Sequence, residues 1–260
     1  MIRSDRESAG FERDPSRPEH AEPEAATPPA DAKVMVGRSD IVPYLAPMIA
    51  YVALGALESY LPSHDGQPSP VWYPLAYTAR VVAVALLAWR YRATWTDFRP
   101  LPSATATALA VLIGVIVWVL WIGLDGLYPA LPFLGTRVAF DLSVMSPASR
   151  WAFVAARMVG LVVIVPLVEE LFWRSFLIRW LIDQEFERVP IGRITPVAAV
   201  VTSVSFALVH PEWLPALITG ALWVWLLAKT RSLGACLVSH ATANLALGLY
   251  VIAAADWKYW

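Results

Sequence analysis

Residues 159–180 read VGLVVIVPLVEELFWRSFLIRW. Without Glu169 and Glu170 this stretch would be an ordinary membrane span, since about 20 apolar residues suffice to cross a bilayer. A single acidic residue at the centre of a span costs about 2.5–3.5 kcal/mol on insertion scales. A chain that keeps two side by side has a use for them. The rest of the composition agrees with a membrane setting. Apolar residues make up 58% of the 260, charged residues 16%, and the mean hydropathy is +0.54, which fits neither a soluble domain nor a disordered chain. A net charge of −1 excludes a global basic field for nucleic acid. The one cysteine, Cys236, sits in an apolar run. It excludes an intrachain disulfide framework and a cysteine-rich metal site, and reads as a small core residue.

The chain divides by composition. Residues 1–40 are rich in Arg, Glu, Asp, Pro and Ala and too poor in large apolar residues to offset the entropy of ordering, so they read as a disordered tail. No apolar run follows a basic start there, so a cleaved signal peptide is not expected. Seven apolar segments follow, at about Ile41–Leu61, Tyr73–Trp89, Ala104–Leu124, Trp151–Ile182, Pro196–Val209, Leu214–Lys229 and Leu233–Ala254. The expected fold is all-α, a polytopic membrane bundle of about seven transmembrane helices, or eight helical segments if one breaks. Residues 41–149 form the N-terminal spans and 150–260 the spans that carry the polar motifs. The fourth segment is too long for one upright span and must tilt, kink at Pro166 or extend into water. The fifth is short: it either starts near Ile191 or ends at a re-entrant turn at His210-Pro211.

Lys and Arg orient the bundle. Lys33 and Arg38 precede the first span, Arg90, Arg92 and Arg99 follow the second, Arg179, Arg188 and Arg193 follow the fourth, and Lys229 and Arg231 follow the sixth. The opposite loops are poorer, with only Arg137 and Arg150 in the long loop after the third span. The pattern predicts a cytoplasmic N-terminus and an outer C-terminus. Trp72-Tyr73, Trp89 with Tyr91, and Trp257–Trp260 sit at span ends, as an interfacial aromatic belt would. Glu58, Arg80, Asp125 and Arg157 lie within or near spans without a motif and read as structural ion pairs or snorkelling groups.

The polar residues of the last four spans form a pattern. Adjacent helical residues diverge by about 100°, so the two carboxylates cannot share a face. Glu170 and Arg174 are four apart with the acid N-terminal, the favourable order for an ion pair. Glu169 is then left without a local partner, which suits a general base that takes a proton from water and later returns it. Phe206 and His210 follow in the fifth segment, His240 and Asn244 in the seventh, each pair four apart. At 1.5 Å per residue, Glu169 lies about 18–20 Å from the cytoplasmic end of its span, His210 about 20 Å, His240 about 10–12 Å, and Asn244 about 6 Å further. All four fit around one cavity. Each piece alone has a plainer reading: a structural ion pair, a satisfied packing histidine, an accidental spacing, a packing phenylalanine.

Taken together, Glu169-Glu170-x-x-x-Arg174, Phe206-x-x-x-His210 and His240-x-x-x-Asn244 resemble the CPBP intramembrane protease family, which includes the Rce1-type CAAX prenyl endopeptidases and the bacteriocin-processing Abi proteins. The likeness covers about Trp151–Ala254. It implies an all-helical membrane fold and hydrolysis of a peptide bond. Carried over, Glu169 and His210 would activate the attacking water, His240 and Asn244 would stabilise the oxyanion, and Glu170 and Arg174 would complete the first motif. An imidazole and an amide can both donate to a developing negative charge, worth about 2.7–4 kcal/mol per donor. The first half, including Pro43–Pro47 and Trp121–Asp125, is similar to CAAX-protease-related proteins found with bacterial exosortase and PEP-CTERM systems. That narrower likeness implies a bacterial inner membrane, exosortase-system proteins as partners, and membrane-associated or exported substrates.

Glu169, His210 and His240 could also supply three ligands to Zn²⁺ or another divalent metal and leave a fourth position for water, although no His-Glu-x-x-His is present. The residues are equally accounted for by metal-free Glu/His activation, the preferred reading. Two readings from other classes stay open: a non-catalytic membrane partner or immunity-type protein with the same fold, and a proton-coupled transporter using Glu169 and the histidines as a relay. The sequence shows neither the internal repeats a transporter predicts, nor the Gly-x-Gly-Asp or Gly-x-Ser-Gly of other intramembrane proteases.

Overall fold

Hydrophobic patterning and capping chemistry set the helices of the computed structural model, which describes residues 41–64, 67–135 and 139–259. The tail expected over residues 1–40, together with Arg137 and Trp260, lies outside the described residues. The principal helices are α1 (Val42–Leu57), α2 (Trp72–Arg90), α3 (Ala104–Gly123), α4 (Pro147–Trp180), α5 (Pro196–Ala207), α6 (Trp213–Thr230) and α7 (Leu233–Ala254). Ser103, Ser146, Thr195 and Ser232 stand at the N-caps of α3, α4, α5 and α7. Each accepts the backbone N–H three residues on, and Pro147 and Pro196 open α4 and α5 where a missing N–H costs nothing. A two-residue ladder, Ser63–His64 against Gln67–Pro68, lies in the α1–α2 connection and leaves the fold all-α.

Five helices, α2, α3, α4, α6 and α7, are long and apolar enough to cross a membrane; α1 and α5 are apolar but shorter. The protein is an integral membrane helical bundle. α3 lies along α7, α5 along α6 and α1 along α2. The α3–α7 contact depends on Gly114, where an added Cβ would sit 2.5 Å from the Ser239 carbonyl oxygen. The second half of α4 packs against α1, α5 and α7. Around it sits a buried core that includes Phe186, Phe206, Trp223, Leu226, Leu227 and Leu233.

α4 has 34 residues, about 51 Å at the helical rise, well beyond the bilayer's hydrocarbon thickness. It neither breaks nor ends at Pro166. Instead it widens into two π-helical stretches, Gly160–Ile164 and Glu170–Leu177. The first precedes Pro166, whose ring crowds the carbonyl four residues back and offers no N–H; a wider turn relieves both problems.

α5 does not begin near Ile191. Thr195 caps it and Pro196 starts it, which fixes the boundary. Its 12 residues span about 18 Å, short of the roughly 30 Å hydrocarbon core. The chain then turns through residues 208–212 into α6. Irregular backbone at membrane depth survives only when buried in protein or lining a cavity. This turn does the second.

The polar residues without a motif are paired. Arg80 Nε meets Glu58 Oε1 at 3.3 Å and its guanidinium lies over Tyr51 and Tyr77. Arg157 donates to the Tyr73 hydroxyl at 2.8 Å. Asp125 accepts from Tyr259 at 2.8 Å and pairs with Lys258 at 2.9 Å. The hydrogen bonds to Asp125 and to Tyr259 hold the Lys258 ammonium above the usual lysine range.

Candidate active site

Glu170 is fully buried, as is Arg174. Its Oε1 accepts from Arg174 Nη1 at 3.3 Å and from His240 Nδ1 at 2.9 Å, so one carboxylate oxygen ties α4 to itself and to α7. The Arg174 guanidinium lies over two rings, 4.6 Å from the centroid of Phe206 and 4.9 Å from that of Trp223. Aromatic faces stabilise a desolvated cation where water cannot. Phe206 is therefore more than a packing residue: it carries the Arg174 cation on its ring and stacks the His210 ring at 4.5 Å.

Glu169 points differently, as its neighbouring position on the helix requires. It is buried, and its Oε2 has no hydrogen-bond partner among the protein atoms. It lines a cavity of about 440 Å³ together with His210, His240 and Asn244. The acid, the two imidazoles and the amide that the sequence drew from three separate segments thus border a single space. Trp223 lines it too, stacked on His240 with centroids 4.2 Å apart. Sequence reasoning missed Trp223, since a tryptophan in an apolar span carries no signal of its own. It is held by donating Nε1–H to Ser239 at 3.0 Å.

The hydrogen bonds fix how the rings are used. His210 Nδ1 is 2.7 Å from the Phe206 carbonyl, which can only accept, so Nδ1 carries a proton and any further bond of the ring is made through Nε2. His240 Nδ1 likewise donates to Glu170. With Nδ1 committed to Glu170, any donation by the ring into the cavity is made through Nε2.

Asn244 is positioned by a defect in α4. Its Nδ2 donates to the Leu161 carbonyl at 2.7 Å. In an α-helix that carbonyl would accept from Val165, but in the wide turn the Val165 N–H goes to Gly160 instead. The next donor in the wide-turn register is residue 166, a proline with no N–H. Pro166 leaves the Leu161 carbonyl open, and a buried carbonyl must find a donor. The amide of Asn244 supplies one N–H and keeps its second for the cavity.

A second polar cluster lies nearer the other end of α4. Asp97, in the 3-10 turn Arg92–Phe98, accepts from Arg179 Nη2 at 2.8 Å, from the Tyr44 hydroxyl at 2.9 Å and from the Ser175 hydroxyl. Arg179 is only 5% exposed. The sequence reads it as one of the cytoplasmic loop cations; the structure makes it a helical residue inside a buried network.

The metal reading fits less well. Among the described residues no three His, Cys, Asp or Glu side chains stand close enough to hold one ion. Glu169, His210 and His240 share the cavity wall without converging on a common point.

The family model described as "Type II CAAX prenyl endopeptidase Rce1-like" matches residues 150–246. That span begins at the start of α4 and contains Glu169, Glu170, Arg174, Phe206, His210, His240 and Asn244. The stretch is similar to that family, as its motifs indicate; residues before 150 lie outside the match. Comparisons with curated proteins and with solved structures return no match.

Proposed function

We propose that the protein is an intramembrane endopeptidase that hydrolyses a peptide bond of a membrane-associated or exported polypeptide. The reading is supported chiefly by the convergence of Glu169, His210, His240 and Asn244 on one cavity, in a stretch similar to the CAAX prenyl endopeptidases. A water between Glu169 and His210 loses its proton to Glu169, with His210 Nε2 holding it in place, and its oxygen attacks the scissile carbonyl carbon. The oxyanion that forms accepts from the second Asn244 N–H and from a His240 Nε2–H. Collapse breaks the C–N bond, and Glu169 returns the proton to the leaving amine. Glu170 and Arg174 hold His240 and Phe206, and through Phe206 His210, without touching the reacting atoms.

No step is routed through a metal, since Glu/His activation accounts for the residues without one. Activity abolished by a chelator and restored by Zn²⁺ would overturn that choice. The setting proposed with this activity is a bacterial inner membrane with the N-terminus in the cytoplasm and exosortase-system proteins as neighbours.

Membranes carrying the protein and a co-expressed membrane or exported substrate test the reading. Glu169→Gln and His210→Ala should each abolish cleavage while the protein remains folded and membrane-inserted. Cleavage that survives both changes sinks it. Proton-coupled uptake dependent on the same residues would favour a transporter instead.

A further inference from the structure

We propose that the cavity opens on the non-cytoplasmic face of the membrane, so that its substrates are polypeptide segments already across, or exposed at, the outer leaflet. The word substrate rests on the endopeptidase reading; the side of the opening does not.

Helix direction locates the cavity. From a floor in mid-bundle (Trp223, His240), its walls come from the second half of α1 (Tyr51), the first turns of α2 (Tyr73, Tyr77), the last turns of α3 (Trp121), α4 from Arg157 to Glu169, the α5–α6 turn (His210) and the C-terminal part of α7 (Leu247), with Tyr259 beyond it. In an up-and-down bundle these are all the same end. Towards the opposite end the space is filled by Trp173, Phe176, Phe186, Leu226, Leu227 and Leu233, all buried. The shortness of α5 explains the asymmetry. Starting from its capped N-terminus, it runs out about 12 Å before the far side of the hydrocarbon core, and its recessed turn leaves a gap at that side alone.

Charge tells which side this is. The filled end carries the basic connections: Arg90, Arg92 and Arg99 after α2, Arg188 and Arg193 after α4, and Lys229 and Arg231 between α6 and α7. At the open end the α1–α2 connection and the α5–α6 turn contain no Lys or Arg; Arg137, Arg150 and Lys258 lie in the remaining connections or beside them, and Arg80 and Arg157 lie within the spans, on the cavity wall. Lys and Arg in short loops mark the cytoplasmic side. The aromatic and basic plug therefore faces the cytoplasm, and the hydrolytic cavity faces away from it.

Single-cysteine labelling tests this in sealed right-side-out and inverted vesicles, with a membrane-impermeant maleimide, on a Cys236→Ala background. Ser59→Cys reports the α1–α2 connection, Gln184→Cys the connection after α4, and Val209→Cys the cavity wall beside His210; all three positions are exposed. Right-side-out vesicles should label Ser59→Cys and Val209→Cys fully and lose the Gln184→Cys signal; inverted vesicles should give the reverse. Labelling of Val209→Cys only in inverted vesicles, or from neither side, overturns the proposal, as does Gln184→Cys reacting in right-side-out vesicles. The same pattern should persist with Glu169→Gln present, so a failure of cleavage and a misplaced opening are read separately.

Discussion

Two polar clusters lie one turn apart on α4 and are built differently. Glu170, Arg174 and His240 are sealed: the acid and the arginine are fully buried, and aromatic rings rather than water surround the cation. Asp97, Ser175, Arg179 and Tyr44 form the other cluster, at the edge of the bundle, where the Asp97 side chain keeps 18% of its exposure. The sealed cluster relies on its own ion pairing and on aromatic faces. The edge cluster has water in reserve. One faces the cavity and orients a histidine; the other pins a 3-10 turn and α1 against α4.

The contrast breaks most sharply at Arg174. Arg174→Ala leaves Glu170 buried without its cation and should destabilise the protein by about 3–5 kcal/mol, measured by unfolding in detergent. Asp97→Asn removes a charge from the edge cluster but keeps a hydrogen-bonding side chain that water can reach, so about 1–3 kcal/mol is expected by the same measurement. Tyr44→Phe deletes one hydrogen bond of that cluster and should cost about 0.5–1.5 kcal/mol. Raising the salt from about 0.1 M to about 1 M shortens the screening length from roughly 10 Å to roughly 3 Å. It should lower the stability lost in Asp97→Asn and leave the loss in Arg174→Ala unchanged. Pro166→Ala should have the smallest effect on stability. It restores an N–H that can compete for the Leu161 carbonyl, so cleavage should fall while the unfolding midpoint holds or rises.

The sealed cluster was half visible in the sequence. Glu170 and Arg174 belong to one helix, and a four-residue spacing with the acid first is enough to pair them. That His240 would join them was not visible, because spacing on α7 says nothing of which α4 oxygen it meets. The edge cluster was invisible: Asp97 is about 80 residues from Arg179 in sequence, and nothing short of the fold brings them together. Helix existence was legible from apolar runs, and the brevity of α5 from its length. The π stretches of α4 were not, since Pro166 announces a disturbance without saying whether the helix will kink or widen. The gathering of four polar residues at one cavity could be anticipated from depth along the spans. The device that aims Asn244 could not, because it depends on a carbonyl that the widened turn leaves unclaimed.

α4 and α7 are joined at two heights, by Glu170 with His240 and by the Leu161 carbonyl with Asn244. Two rungs make a ladder, and a ladder does not shear. If the space between the helices must enlarge to take in a polypeptide, the yielding part is the α5–α6 hairpin, which carries neither of these two rungs. On the proposed mechanism, opening and closing would then move His210, which holds the water, while Glu169 and the oxyanion donors stay still, and only closure would bring the two halves of the chemistry into register.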